Sequence, residues 1–233
     1  MNEWHNIAEG RIFILGTGPS LGEQLPLLHK LAGEATFGCN SLPKWDLLPF
    51  TPTYYGVTDI RYQSDMDRLV FPSMKMHRFN VQWDGDEPHN DAFIRVAKDR
   101  AENVASVGFT GTGDVLPPIP SGRTSPITLA QLAAWMGYRE FYFLGIEQTR
   151  GYVHAPNATM SMTDRQKFPL DKSPRYQLAI QRCAERMRQD MEAAGGAVYD
   201  CTPGGLLNET GSSRRSVPHR TILPYRALEE VLQ

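Results

Sequence analysis

Gly16-Thr17-Gly18-Pro19-Ser20-Leu21 is the first stretch of the chain whose residue types suggest chemistry. Glycines let a backbone approach a ligand closely, and a helix opening behind them presents unpaired N–H groups that suit a phosphate. The sixth position is Leu21, so the Gly-x-Gly-x-x-Gly spacing is incomplete, and no Gly-Lys-Ser/Thr follows to make a P-loop. Ordinary nicotinamide dehydrogenase and P-loop NTPase chemistries are therefore disfavoured, with a tight packing turn as the plain alternative. Asn40 and Asp59 each follow a short apolar run, where the carboxyl edge of a parallel sheet would present them. Asp59 could bind Mg²⁺ while phosphates fill the remaining shell, hydrogen-bond a ribose, or cap a turn. Asp84-Gly85-Asp86-Glu87 lacks EF-hand spacing and reads as a solvated acidic loop. Arg214, Arg215, His219 and Arg220 form either a solvated surface or a phosphate clamp.

These residues need elements to carry them. Arg11 to Leu15 reads as a buried strand stopped by Gly16, and Ser20 opens a helix with Leu21, Leu25, Leu28 and Leu31 near helical spacing, closed by Gly33. Ala35 to Cys39 and Tyr54 to Thr58 read as the next strands. Met76 to Val81 and Val104 to Phe109 follow, around an Asp-rich stretch to which no helix is assigned, and 108–113 and 117–122 read as loops. Thr124, Ser125 and Pro126 cap a helix running to Met136, with apolar residues on most sides. Glu140 to Leu144 is a strand, 151–173 a polar lid or loop, Pro174 to Ala194 a long helix, Ala197 to Asp200 a strand and Tyr225 to Leu232 a last helix. Alternating strands and helices predict α/β architecture over residues 1–233. It is a single Rossmann-like parallel-sheet domain with helices on both faces and a polar lid.

With 233 residues, 41% of them hydrophobic, the chain can bury an enzyme-sized core. Its 24 basic and 26 acidic residues leave a net charge of −2, so nucleic acid is not indicated as a partner. Cys39, Cys183 and Cys201 are odd in number and contain no Cys-x-x-Cys pair, which argues against a disulfide framework or zinc knuckle. Neither a signal-peptide pattern nor a run of ~18 apolar residues occurs, so the expectation is a soluble, cytoplasmic protein with no membrane span.

Five ordered pieces carry a resemblance. Gly16-Thr17-Gly18-Pro19-Ser20-Leu21, Phe37-Gly38-Cys39-Asn40, Ser121 to Thr128, Gly137 to Glu147 and Tyr199 to Leu207 span residues 11 to about 207 discontinuously. They resemble the bacterial lipooligosaccharide sialyltransferases. The last three also resemble the related 6-hydroxymethylpterin diphosphokinase-like family, which includes flagellin-glycosylation-associated proteins. The resemblance implies a glycosyltransferase that moves a sugar from a nucleotide-sugar donor, a CMP-sugar being favoured, to a hydroxyl acceptor. Gly16, Thr17, Gly18, Pro19, Ser20 and Asn40 would hold the cytidine monophosphate part, with Ser121, Gly122, Arg123, Thr124 and Ser125 near the donor sugar. Glu147 stands where many relatives carry Asp.

The nearest counterpart of the family's catalytic histidine is His154, although that histidine lies further along its lid. Histidine can take a proton from an acceptor hydroxyl near neutral pH, and Tyr152 could donate to a leaving phosphate. An exposed lid histidine is the alternative. The sialyltransferase-like reading requires no cofactor and no metal, whereas diphosphoryl transfer from ATP to a hydroxymethyl pterin would need Mg²⁺ at Asp59. A third alternative is a non-catalytic nucleotide-binding accessory protein. A homo-oligomer is compatible with all three.

Overall fold

In the strand β1 (Arg11–Leu15), Ile12, Phe13, Ile14 and Leu15 are all fully buried, so both of its faces are covered. That is the environment of an inner strand in a parallel sheet, and it explains the unbroken apolar run. A computed structural model describes residues 5–57, 77–82, 92–97, 119–120, 124–147, 153, 174–211 and 220–233, with backbone alone at 77–82, 92–97, 119–120 and 174–176. Seven further strands are β2 (Thr36–Cys39), β3 (Tyr54–Val57), β4 (His77–Gln82), β5 (Ala92–Ala97), β6 (Ile119–Pro120), β7 (Glu140–Leu144) and β8 (Ala197–Asp200). They form one sheet in the order β6-β5-β4-β3-β2-β1-β7-β8, and every neighbouring pair is parallel.

Alternation along the strands divides the core into two layers. Ile12, Ile14, Phe37, Phe141, Phe143 and Val198 face helices α3 (Ser125–Met136) and α4 (Pro174–Ala193). Phe13, Leu15, Tyr142 and Leu144 face the opposite layer, built from α1 (Ser20–Glu23), α2 (Leu25–Leu28), the 3₁₀ turn His29–Leu31 and α5 (Leu228–Val231). On that second face Phe13, Tyr142 and Tyr199 stack across three strands, with ring centroids 5.1 and 5.2 Å apart. Helix α3 is buried from Pro126 to Met136, as its nearly all-apolar sequence requires, while α4 is amphipathic and turns Ile180, Cys183, Ala184, Met187 and Met191 inward. Gly56 lets α3 settle onto the sheet, because a Cβ there would lie 3.0 Å from Leu129 Cδ1 and 3.2 Å from Phe37 Cε2, and closer still to Leu129 Cδ2.

The parallel sheet with helices on both faces agrees with the sequence-based expectation, and several elements differ from it. The helix expected from Ser20 to Gly33 is broken into α1, α2 and a 3₁₀ turn. Pro26 sits in the first turn of α2, where its ring and missing N–H prevent a continuous helix, yet Leu21, Leu28 and Leu31 remain buried. The last helix is confined to Leu228–Val231, because residues 224–226 run extended beside β8. There the Asp200 N–H donates to the Pro224 carbonyl at 3.0 Å and the Arg226 N–H to the Asp200 carbonyl at 3.2 Å. Strands β5 and β6 arise where no strand is expected, β6 within the expected loop at 117–122, although Ala92 to Ala97 is itself a mostly apolar run with β-branched and aromatic residues. The strand expected at 104–109 lies outside the described residues, as does the lid at 151–173 except for Val153.

Candidate functional site

Strands β2 to β6 build outward on one side of β1, and β7 and β8 on the other, so the strand order reverses between β1 and β7. The chain leaves β1 toward the α1/α2 face and the α4 connection between β7 and β8 packs on the opposite face. Diverging connections open a crevice beyond the carboxyl ends of the two strands, where ligands bind in open α/β sheets.

The turns after β1 and β7 meet at this point. The Gly16 N–H donates to the Leu144 carbonyl at 2.7 Å and the Gly18 N–H to the Gly145 carbonyl at 2.8 Å. A Cβ on Gly16 would lie 2.8 Å from the Gly145 carbonyl carbon, and nearer still to its oxygen. A Cβ on Gly18 would lie 2.6 Å from Glu147 Cδ and 2.7 Å from the Gly145 oxygen. The two glycines therefore make room for the β7 turn and for the Glu147 side chain, which leans back over β1.

This geometry corrects the expectation of free N–H groups at the start of the helix. Glu147 Oε1 accepts the Ser20 N–H, the Leu21 N–H donates to the Gly18 carbonyl at 3.2 Å, and the Gly22 N–H to the Pro19 carbonyl at 2.9 Å. A carboxylate already occupies the position a phosphate would take, and α1 is a single turn with little dipole to offer. Glu147 is 6% exposed, and its Oε2 has no hydrogen-bond partner; the same is true of Ser20 Oγ on a residue 3% exposed.

One strand away, β2 ends in Asn40, held in the left-handed region at φ +46°. Asparagine tolerates that conformation better than most residues. Its N–H donates to the Gly56 carbonyl at 3.0 Å, its carbonyl accepts the Tyr55 hydroxyl, and its Nδ2 donates to Ser125 Oγ at 2.6 Å. Asn40 thus joins β2 and β3 to the first turn of α3, next to Thr124. Ser121, Gly122 and Arg123 lie outside the described residues, as do Asp59, Tyr152, His154, Arg214, Arg215 and His219. Val153 is buried against the second core layer, and its N–H donates to the Thr17 carbonyl at 2.8 Å. Arg220, expected within a basic patch, pairs with Glu185 of α4 at 2.8 Å. Among the described residues no group of three or more His, Cys, Asp or Glu could hold a metal ion, and no helix is long and apolar enough to cross a membrane.

Sequence reasoning assigned no role to a network behind the β7 turn. Asp200, fully buried at the end of β8, accepts the Thr202 N–H at 2.9 Å and Asn208 Nδ2 at 2.7 Å. Thr202 Oγ1 in turn accepts the Ile146 N–H at 3.2 Å, fixing the residue before Glu147. Burial pushes the Asp200 carboxyl up to about 7, against the lowering effect of the Thr202 and Asn208 hydrogen bonds. The Tyr199 to Leu207 piece contained the only sequence signal for this network. Cys39, Cys183 and Cys201 are buried free thiols, and burial raises the Cys39 thiol to about 12, so it is not a poised nucleophile.

The chain has structural neighbours. Over 91% of its length it aligns with 86% of the sialyltransferase CstII from Campylobacter jejuni in complex with a substrate analogue, cytidine-5′-monophosphate, at 12% identity and a TM-score of 0.44. A tyrosine-to-phenylalanine variant of the sialyltransferase CST-II in complex with CMP aligns over 91% of this chain and 87% of its own, at 14% identity and a TM-score of 0.48. No family model and no curated protein matches the sequence.

Chemically, the crevice offers an acceptor-only carboxylate over β1 and an amide–hydroxyl pair at the N-terminal end of a twelve-residue helix beside it. The two ends differ in charge preference. Glu147 disfavours an anion, whereas the α3 N-terminus favours one.

Proposed function

We propose that this protein is a nucleotide-sugar-dependent glycosyltransferase of the sialyltransferase-like kind, using a CMP-sugar donor and a hydroxyl acceptor. The observation that carries the proposal is convergence. Gly16 to Ser20, Asn40 with Ser125, and Glu147 belong to separate pieces of the ordered resemblance, and all of them stand at the carboxyl ends of the neighbouring strands β1, β2 and β7 or bond to a residue there. Glu147 would repel the donor phosphate, which would instead sit by Asn40 and the α3 N-terminus, at the end of the neighbouring strand. The nucleoside would then lie across the glycine turn.

Transfer requires the anomeric C–O bond to break with the phosphate leaving, while the acceptor oxygen attacks that carbon and loses its proton to a base. His154 is the proposed base and Tyr152 the proposed donor to the phosphate. They flank Val153, which is tied to Thr17 of the glycine turn. The mechanism needs no metal.

Thermal shifts with CMP-, UDP- and GDP-sugars, CTP and ATP, with and without Mg²⁺, test the donor, because a ligand of the native state raises apparent stability. Acceptor-dependent CMP release, unaffected by chelator and abolished in His154→Ala, is the expected outcome. Shifts with ATP and Mg²⁺ alone, or no nucleotide sugar bound or hydrolysed, would overturn the proposal.

A further inference from the structure

Glu147 is an unusual residue to bury. Its carboxylate lies over Gly18 at the reversal between β1 and β7, with Oε1 accepting the Ser20 N–H and Oε2 accepting nothing. A buried carboxylate oxygen without a donor is costly, and natural folds keep such groups where a missing partner belongs. Beside it is a second orphan. Ser20 Oγ, on the residue whose N–H Glu147 holds, can both donate and accept and has no partner. The missing group therefore brings a donor to Oε2 and offers a second polar atom to Ser20. An anion brings no donor, and a carboxylate opposes it. Two neighbouring hydroxyls satisfy both atoms.

Resting on the nucleotide-binding reading above, we infer that Glu147, with Ser20, recognises the vicinal hydroxyls of the ligand's ribose and makes the site selective for ribonucleotides over deoxyribonucleotides. The glycine turn is part of this device. Only without a side chain at residue 18 can Glu147 lean from β7 back over β1 and hold the Ser20 N–H, while Asn40 stands at the end of the neighbouring strand β2. Ribose and phosphate would then occupy neighbouring strand ends, each facing the group that suits its charge.

The test is calorimetric titration of the intact protein with CMP, 2′-deoxy-CMP, 3′-deoxy-CMP and UMP, repeated with Glu147→Gln. The variant keeps the acceptor for the Ser20 N–H and replaces the charged oxygen by an amide. Loss of a hydrogen bond to a charged group predicts that the wild type binds at least one deoxy analogue ~10- to 100-fold more weakly than CMP, and that the variant narrows this gap to about threefold. Equal binding of CMP and both deoxy analogues by the wild type overturns the inference and leaves the nucleotide reading standing. So does a variant that loses cytidine-over-uridine preference while keeping its ribose preference, since Glu147 would then read the base. If CMP and UMP do not bind at all, the CMP-sugar reading fails first. If Glu147→Gln folds poorly, Ser20→Ala, which keeps the N–H that Glu147 holds, is titrated in its place, and an undiminished ribose preference in it overturns the inference.

Discussion

Replacing Gly18 by alanine isolates the contact on which the site is built. Its φ lies outside the left-handed region, so alanine introduces no backbone strain and acts through space alone. The new methyl would overlap Glu147 Oε2, lie 2.6 Å from Cδ and press on the Gly145 oxygen at 2.7 Å. The glutamate side chain can swing away, but only by releasing the Ser20 N–H. Losing that charge-assisted bond costs about 1.5–3 kcal/mol, and the Gly145 carbonyl, fixed at the end of β7, adds to it. Urea unfolding of wild type, Gly18→Ala, Glu147→Ala and the double variant gives a closed cycle. If Glu147 is what the methyl meets, Gly18→Ala costs roughly 1.5 kcal/mol less in the Glu147→Ala background than in the wild type, well beyond the ~0.5 kcal/mol of independent sites. Additive costs would refute the reasoning, because the glycine would then be required by something other than the carboxylate.

Three further outcomes are expected. Asn40→Ala loses the Ser125 bond and places alanine at φ +46°, for about 1–2 kcal/mol of stability; Asn40→Gly relieves the backbone, so it should recover stability but not CMP affinity in parallel unfolding and binding measurements. Asp200 is raised in the folded state from an ordinary 3.8 to about 7, so its stabilising contribution is full below the lower value and lost as pH rises through the upper one. Wild-type urea midpoints should therefore fall relative to those of Asp200→Asn between about pH 4 and about pH 7, and parallel pH profiles would contradict that sign. Gly56→Ala pushes α3 off β3 and should cost about 1–3 kcal/mol by overpacking, with partial recovery when Leu129 is shortened to alanine, as read by thermal unfolding.

Much of this fold is legible in single stretches. The unbroken apolar run at Ile12 to Leu15 needs burial on both sides, and Thr124-Ser125-Pro126 with Gly137 marks both ends of α3, whichever partners they find. The weaker signals fail for local reasons. Pro26 divides a segment whose leucines keep helical spacing, β5 follows directly on the Asp-rich stretch, and β6 has only two residues to announce it. The tail from Tyr225 has helical periodicity, but Tyr225 and Arg226 are held extended by Asp200, so the helix starts only at Leu228.

The candidate site divides in the same way. The glycines, Asn40 and Glu147 stand out as residue types at the ends of apolar runs, and the sequence alone determines that they follow strands. It cannot determine that β7 inserts beside β1, because strand order depends on how whole faces are buried rather than on any local pattern. That placement brings Glu147 to the Ser20 N–H across 127 residues. It turns an expected phosphate cradle into a turn closed by a buried carboxylate, since the nearest acceptor in space, not in sequence, takes the free amide. The tertiary structure thereby decided that the first amide of α1 is taken up within the chain rather than left free.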